Sequence, residues 1–199
     1  MSGNYNSDRN FTDYMHKELA LKLIYKNLGW IEESINNSEL EEIDMNDGID
    51  YVFRTQEGRS VSIQERFRES KYKQYSDFTI RYRRDFNSNI DRRESEFFKI
   101  KADYFIYGIV NGNKYKLSSC TDYLKFAVID MNIIKSLIDN KKIIVSDKKM
   151  KSSYIDPTSK VMHIPEIQNW DSSSSFVALD IRQLKSLTNM NIVLFSKGF

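Results

Sequence analysis

One acid and a short polar triplet carry the clearest chemistry in this sequence. Asp50 stands in GIDYVF, and Gln64, Glu65 and Arg66 follow fourteen residues later in IQERF. Between them, Thr55-Gln56-Glu57-Gly58 offers a glycine where a tight hairpin turn takes positive φ. Two strands folded across that turn set the acid beside Gln-x-Arg, an arrangement that can hold a metal ion. Glu18 is a second acid of interest, because Tyr14, Glu18, Leu21 and Tyr25 share one face of a helix at i, i+4, i+7 and i+11. A carboxylate on a half-buried aromatic face needs a partner. Lys22, one helical turn on, is one candidate; a metal or the polar side of a sheet is the other.

Other catalytic devices are missing. None of the seven glycines forms a phosphate-binding G-x-G-x-x-G or G-x-x-x-x-G-K loop. No serine lies in a nucleophile elbow, Cys120 has no histidine nearby in sequence, and His16 and His163 read as lone surface or core residues. With a single cysteine and two histidines, neither an internal disulfide nor a zinc site is expected. What remains is carboxylate-bound magnesium, which takes one or two carboxylates together with waters and a substrate phosphate. Such an ion activates water and neutralises charge developing on a phosphodiester.

The elements that must position these residues follow from periodicity. Residues 1–10 read as a flexible polar leader, and residues 11–199 as one domain. A helix is predicted from about Thr12 to Leu28, stopped by Gly29. Ile49, Tyr51 and Phe53 alternate with polar neighbours, as do Val61, Ile63 and Phe67, giving the two strands of the hairpin. Weak strand character appears around Leu40 to Met45. Asp77 to Arg84 predicts a third strand with Phe78, Ile80 and Tyr82 on one face and arginines on the other. A helix is expected over about Asp91 to Lys101, then a strand buried on both faces over Ala102 to Val110. Tyr123 to Asp130 reads as a strand and Met131 to Asn140 as a helix, with shorter strands and one short helix in the last third. The chain therefore reads as a single mixed α/β domain.

Charge is distributed unevenly. From Ile31 to Phe53 there are eight acids and no lysine or arginine, whereas Arg66 to Lys101 holds eleven basic residues against six acids. Adjacent segments of opposite sign suit a protein that collects a cation in one place and phosphates in another, although each alone also reads as a solvated face. The longest apolar runs are too short to span a bilayer, and the first residues lack the apolar core of a secretory signal. These features favour a soluble protein of a reducing compartment, most simply cytoplasmic, with no membrane partner.

On these residues, GIDYVF followed by IQERF, the sequence resembles the PD-(D/E)XK nuclease superfamily, and more narrowly the Mrr-type branch in which Gln-x-Lys replaces Glu-x-Lys. The resemblance covers about Thr12 to Val110. It implies a restriction-endonuclease-like central mixed β-sheet flanked by helices, and Mg²⁺- or Mn²⁺-dependent hydrolysis of DNA phosphodiesters in restriction, repair or mobile-element work. By position, Asp50 is the metal-binding acid, Gln64 takes the second acid's place, the Glu65 carbonyl completes the metal shell and Arg66 stands where the catalytic lysine is expected. Glu18 matches the helical acid that some branches add. Arg68, Arg81, Arg83, Arg84, Arg92 and Arg93 would contact phosphates of DNA, or of RNA, with a homodimer left open. The sequence departs from the pattern in two ways. Arg66 cannot act as a general base near neutral pH, which keeps a non-cutting nucleic-acid-binding or partner-binding protein as the alternative. Glu65 falls on the face of Ile63 and Phe67, where it either pairs with an arginine or is turned toward the site by a bulge.

Overall fold

The computed structural model describes residues 3–34, 47–84, 95–146, 150–170 and 174–199. It is a mixed α/β structure of two mixed sheets with a few helices against them. The first sheet has six strands in the order β1 (Ile31–Glu32), β2 (Tyr51–Arg54), β3 (Ser60–Arg68), β5 (Tyr104–Val110), β6 (Tyr123–Asp130) and β11 (Val193–Lys197). All neighbours are antiparallel except β3 and β5, which run parallel. The second sheet is ordered β4 (Asp77–Arg84), β10 (Ser174–Asp180), β9 (Met162–Gln168) and β7 (Ile143–Ser146), with β8 (Tyr154–Ile155) also on β9.

Two apolar layers hold these parts together. Between the sheets lie Phe78 and Ile80 of β4, Phe105 and Ile109 of β5, and Val177 and Leu179 of β10. On the opposite face of the first sheet, Phe53, Val61, Ile63, Ile106 and Val128 pack under the N-terminal helix. The buried strand expected from ADYFIYGIV thus does face apolar neighbours on both sides. A second sheet covers the face of the first that is turned away from the helix. Strand β4, the third strand expected from the sequence pattern, founds that second sheet by pairing with β10.

The N-terminal helix departs from its expected winding. It begins at Gly3, so residues 3–10, expected as a polar leader, form its first turns. From His16 to Tyr25 it is π-wound, and a last α-turn, Lys26–Leu28, ends on Gly29 at φ 67°. In an α-helix, residues nine apart stand about two and a half turns apart, on opposite sides. The i→i+5 bonding of a π-helix widens each turn, so that nine residues make about two turns. His16 and Tyr25 therefore share a face, and Met15, Leu19, Ala20 and Ile24 are buried along it. The stripe expected from α-periodicity is displaced: Glu18 lies on the exposed side, paired with Lys22 at 2.6 Å.

The expected strand around Leu40 to Met45 lies outside the described residues, as does the start of the helix expected from Asp91. Of that helix, the described part is Glu96–Lys99. The helices Met131–Asp139 and Ile181–Leu187 each follow directly on a strand. Asp130 and Asp180 cap them by accepting hydrogen bonds from the second and third following main-chain N–H groups.

Candidate functional site

Asp50 sits just before β2, at the point where the hairpin ladder runs out. Its main-chain N–H donates to the Ile63 carbonyl at 2.7 Å, and its carboxylate Oδ2 accepts the Glu65 main-chain N–H at 2.7 Å. The side chain thus extends the ladder by one rung. Gln64 Nε2 donates to the same Oδ2 at 2.8 Å and lies 3.5 Å from the Glu65 carbonyl oxygen. The acid, the amide and the carbonyl that the resemblance assigns to a metal are therefore gathered around one point. Gly48 turns the chain just ahead of Asp50 at φ 60°, a conformation that glycine adopts without strain.

Gln64 is buried, and its Oε1 has no hydrogen-bond partner among the described residues. As placed, the amide turns its NH2 toward the Asp50 carboxylate and the Glu65 carbonyl; turned over, it would bring Oε1 to that point and complete a set of oxygens suited to a hard cation. Asp13 of the helix lines the same cleft. No group of three or more His, Cys, Asp or Glu side chains able to hold a metal occurs among the described residues. These residues fit magnesium held by few protein oxygens and completed by water and substrate; they do not form a closed cage.

Glu65 takes neither of the two courses expected for it. The register of β3 against β5 is continuous through this position, with no bulge, so the side chain points under the helix. There it is fully buried, with both carboxylate oxygens 3.1 Å from His16 Nδ1 and Oε1 accepting from the Tyr25 hydroxyl at 2.6 Å. Only its main chain faces Asp50. His16 is therefore no lone histidine: its ring stacks on Tyr51 at 3.6 Å, and Nε2 lies 3.4 Å from Glu32. Burial alone pulls the His16 pKa down, but the hydrogen bonds and charges of Glu32 and Glu65 outweigh it and raise the pKa to about 9. Burial, together with Glu65, pushes the Tyr25 hydroxyl well above its ordinary range, so Tyr25 remains a donor. Sequence spacing hid this network, since the two helical partners meet only because the helix is π-wound.

The remaining candidates divide. Arg66 is half-buried on the face toward the second sheet; it donates to Glu96 at 2.6 Å and to the Thr79 carbonyl at 3.0 Å. Glu96 also pairs with Arg81 at 3.5 Å. Arg68 donates to Thr79 Oγ1 at 2.7 Å and lies over the Tyr72 ring. Arg83 is exposed and lies over Tyr82, while Arg84 pairs through its backbone with Ser174. Arg92 and Arg93 lie outside the described residues. Glu18 is not among the residues lining the cleft; the helical acids that line it are Asp8 and Asp13.

These groups border one cleft of about 800 Å³. The helix supplies Asp8, Arg9 and Asp13; β3 supplies Gln64, Arg66 and Arg68; β4 supplies Arg81; and the end of the β9–β10 hairpin supplies Asn169 and Ser175. Acids and bases thus meet in a single polar depression; from the acidic run Ile31 to Phe53, the described acid that lines it is Asp50. Compared with protein-family models, with curated proteins and with solved structures, the chain matches none of them.

Proposed function

We propose that this chain is a magnesium- or manganese-dependent nuclease of the PD-(D/E)XK, restriction-endonuclease-like kind, acting on DNA phosphodiesters. The observation that carries the reading is the gathering of Asp50 Oδ2, the Gln64 amide and the Glu65 carbonyl beside the cleft arginines Arg66, Arg68 and Arg81. The order of elements adds support: a helix, the strand led by the acid, the strand bearing the triplet, and a strand parallel to it. Asp50, the Glu65 carbonyl and, with its amide turned over, Gln64 Oε1 would hold the cation, which when bound supplies a Lewis acid and lowers the pKa of water. The chain's own contribution is to position a phosphate. Arg66 keeps its proton, so it binds a phosphate oxygen and does not remove a proton. Arg68 and Arg81 neutralise neighbouring phosphates.

The test is cleavage of duplex, single-stranded, branched and modified DNA with Mg²⁺ or Mn²⁺, comparing the native chain with Asp50→Ala. Cutting lost on substitution, with folding retained, supports the reading. One observation favours a second reading, a nuclease-derived protein that binds without cutting: the Arg66 guanidinium is already held by Glu96 and Thr79. No cleavage on any of those substrates, with binding that weakens steeply with salt, selects it.

A further inference from the structure

Trp170 is 97 % exposed, the largest exposure among the described apolar side chains that stand out at the surface. An indole normally contributes a large buried area, so a tryptophan left in solvent is a group offered to a partner. Its place in the fold says which partner. Trp170 follows Asn169 at the end of the β9–β10 hairpin, and Asn169 is held there by two contacts to Ser174: main-chain N–H to carbonyl at 2.9 Å and Nδ2 to Oγ at 2.6 Å. Asn169 and Ser174 both line the cleft that holds Asp50. The hairpin's second strand lies against the basic strand, Ser175 opposite Arg83 and Phe176 opposite Arg81. An exposed aromatic ring thus follows directly on a residue of the cleft lining, in the hairpin whose second strand pairs with Arg81 and Arg83.

We infer that Trp170 is a stacking platform for an unpaired nucleobase, and that the cleft takes single-stranded or locally opened nucleic acid in preference to closed duplex. Every base has a π-face that an indole can cover, and a cationic groove beside it follows the phosphates. In a closed duplex those faces are covered by neighbouring bases. The inference deepens the nuclease-type reading by naming its substrate form, and it needs only the binding half of that reading.

The experiment uses the full chain in EDTA, so that no strand is cut. Trp170 and Trp30 are the only two tryptophans, which makes intrinsic fluorescence a direct report. The native chain and Trp170→Phe are titrated with oligothymidylate, its RNA counterpart oligouridylate and a blunt duplex, and the difference between the two proteins isolates the Trp170 signal. Saturable quenching of that signal by a single strand is expected, with a loss of about tenfold or more in single-strand affinity in Trp170→Ala and duplex affinity unchanged. The DNA and RNA arms show which backbone is preferred. No quenching with either strand, or an equal affinity loss on duplex, overturns the inference. Quenching without metal-dependent cleavage leaves the inference standing and removes the catalytic reading; cleavage without quenching does the reverse.

Discussion

His16 and Glu65, forty-nine residues apart in sequence, meet with the imidazole Nδ1 3.1 Å from both carboxylate oxygens, and neither side chain is more than 3 % exposed. The pair ties the N-terminal helix to the strand whose main-chain N–H at Glu65 holds Asp50. Removing one partner strands a charge in an apolar layer, which costs about 3–5 kcal/mol. His16→Ala and Glu65→Gln are each expected to lose stability on that scale in urea unfolding. The double variant should lose clearly less than the sum. Small and additive losses would show that the pair is not coupled.

The same pair sets a pH dependence. The folded pKa of His16, about 9, lies above its ordinary 6.5, so protonation favours the folded state. The stabilisation is complete below about 6.5 and is lost as pH rises through 9. Unfolding free energy measured from pH 6 to 10 (about the range in which the group titrates) should fall across this window in the native chain. In His16→Gln the fall should flatten. A profile unchanged by the substitution would assign the slope to other groups.

Much of the fold was legible because hydrophobic period is a strong signal where one face is buried. The hairpin around Gly58, the two-sided burial of β5 and the strand-then-helix pairs after Asp130 and Asp180 follow from local pattern. Three features were not legible. The π-winding of His16–Tyr25 changes which residues share a face, so α-periodicity pointed at Glu18 and passed over His16 and Asp13. Strand β4 reads as an ordinary amphipathic strand, and nothing local says that its partner is β10, about a hundred residues on. The Glu65 partner is equally non-local: parity placed the acid on the apolar face, but the basic group waiting there comes from the helix.

Gly108 of β5 reports the packing behind the site. A Cβ at this position would stand 2.7 Å from Tyr123 Cε1 and 3.0 Å from Phe67 Cδ1. Both rings are buried and belong to the layer under the helix. Gly108→Ala therefore overpacks that layer, with an expected cost of about 1–3 kcal/mol, measured as a lower urea midpoint at unchanged m-value. An increase in stability would mean that the rings shift freely and the layer is looser than the geometry indicates.

Asp50 has a structural role, satisfying the Glu65 N–H, and a proposed chemical one, holding a cation; two substitutions separate them. Asp50→Asn keeps an oxygen for the N–H while removing the charge, so its stability is expected to stay within about 1 kcal/mol of native. Asp50→Ala leaves the N–H and the Gln64 amide without their acceptor and should cost about 1–3 kcal/mol. Thermal unfolding with and without Mn²⁺ reads the chemical role, since ligand-dependent stabilisation of the native chain should vanish in both variants. If Asp50→Asn retained the metal-dependent shift, the cation would be held elsewhere.

Under the proposed nuclease-type reading, Arg66 is the residue that separates cutting from binding alone, and Arg66→Lys is the informative change. Lysine keeps a positive charge toward Glu96 but cannot reproduce a fork that serves both Glu96 and the Thr79 carbonyl. The variant is therefore expected to lose about 1–2 kcal/mol of stability, the order of one hydrogen bond to a charged group. A lysine beside a bound cation can also release its proton, which arginine cannot. If the native chain binds DNA without cutting because Arg66 cannot act as a base, Arg66→Lys should gain metal-dependent cleavage that rises with pH. If the native chain already cuts, the arginine works by binding phosphate, and Arg66→Lys should weaken substrate affinity several-fold with little change in the pH profile. A lysine variant that neither cuts nor binds differently from native would remove Arg66 from the site altogether.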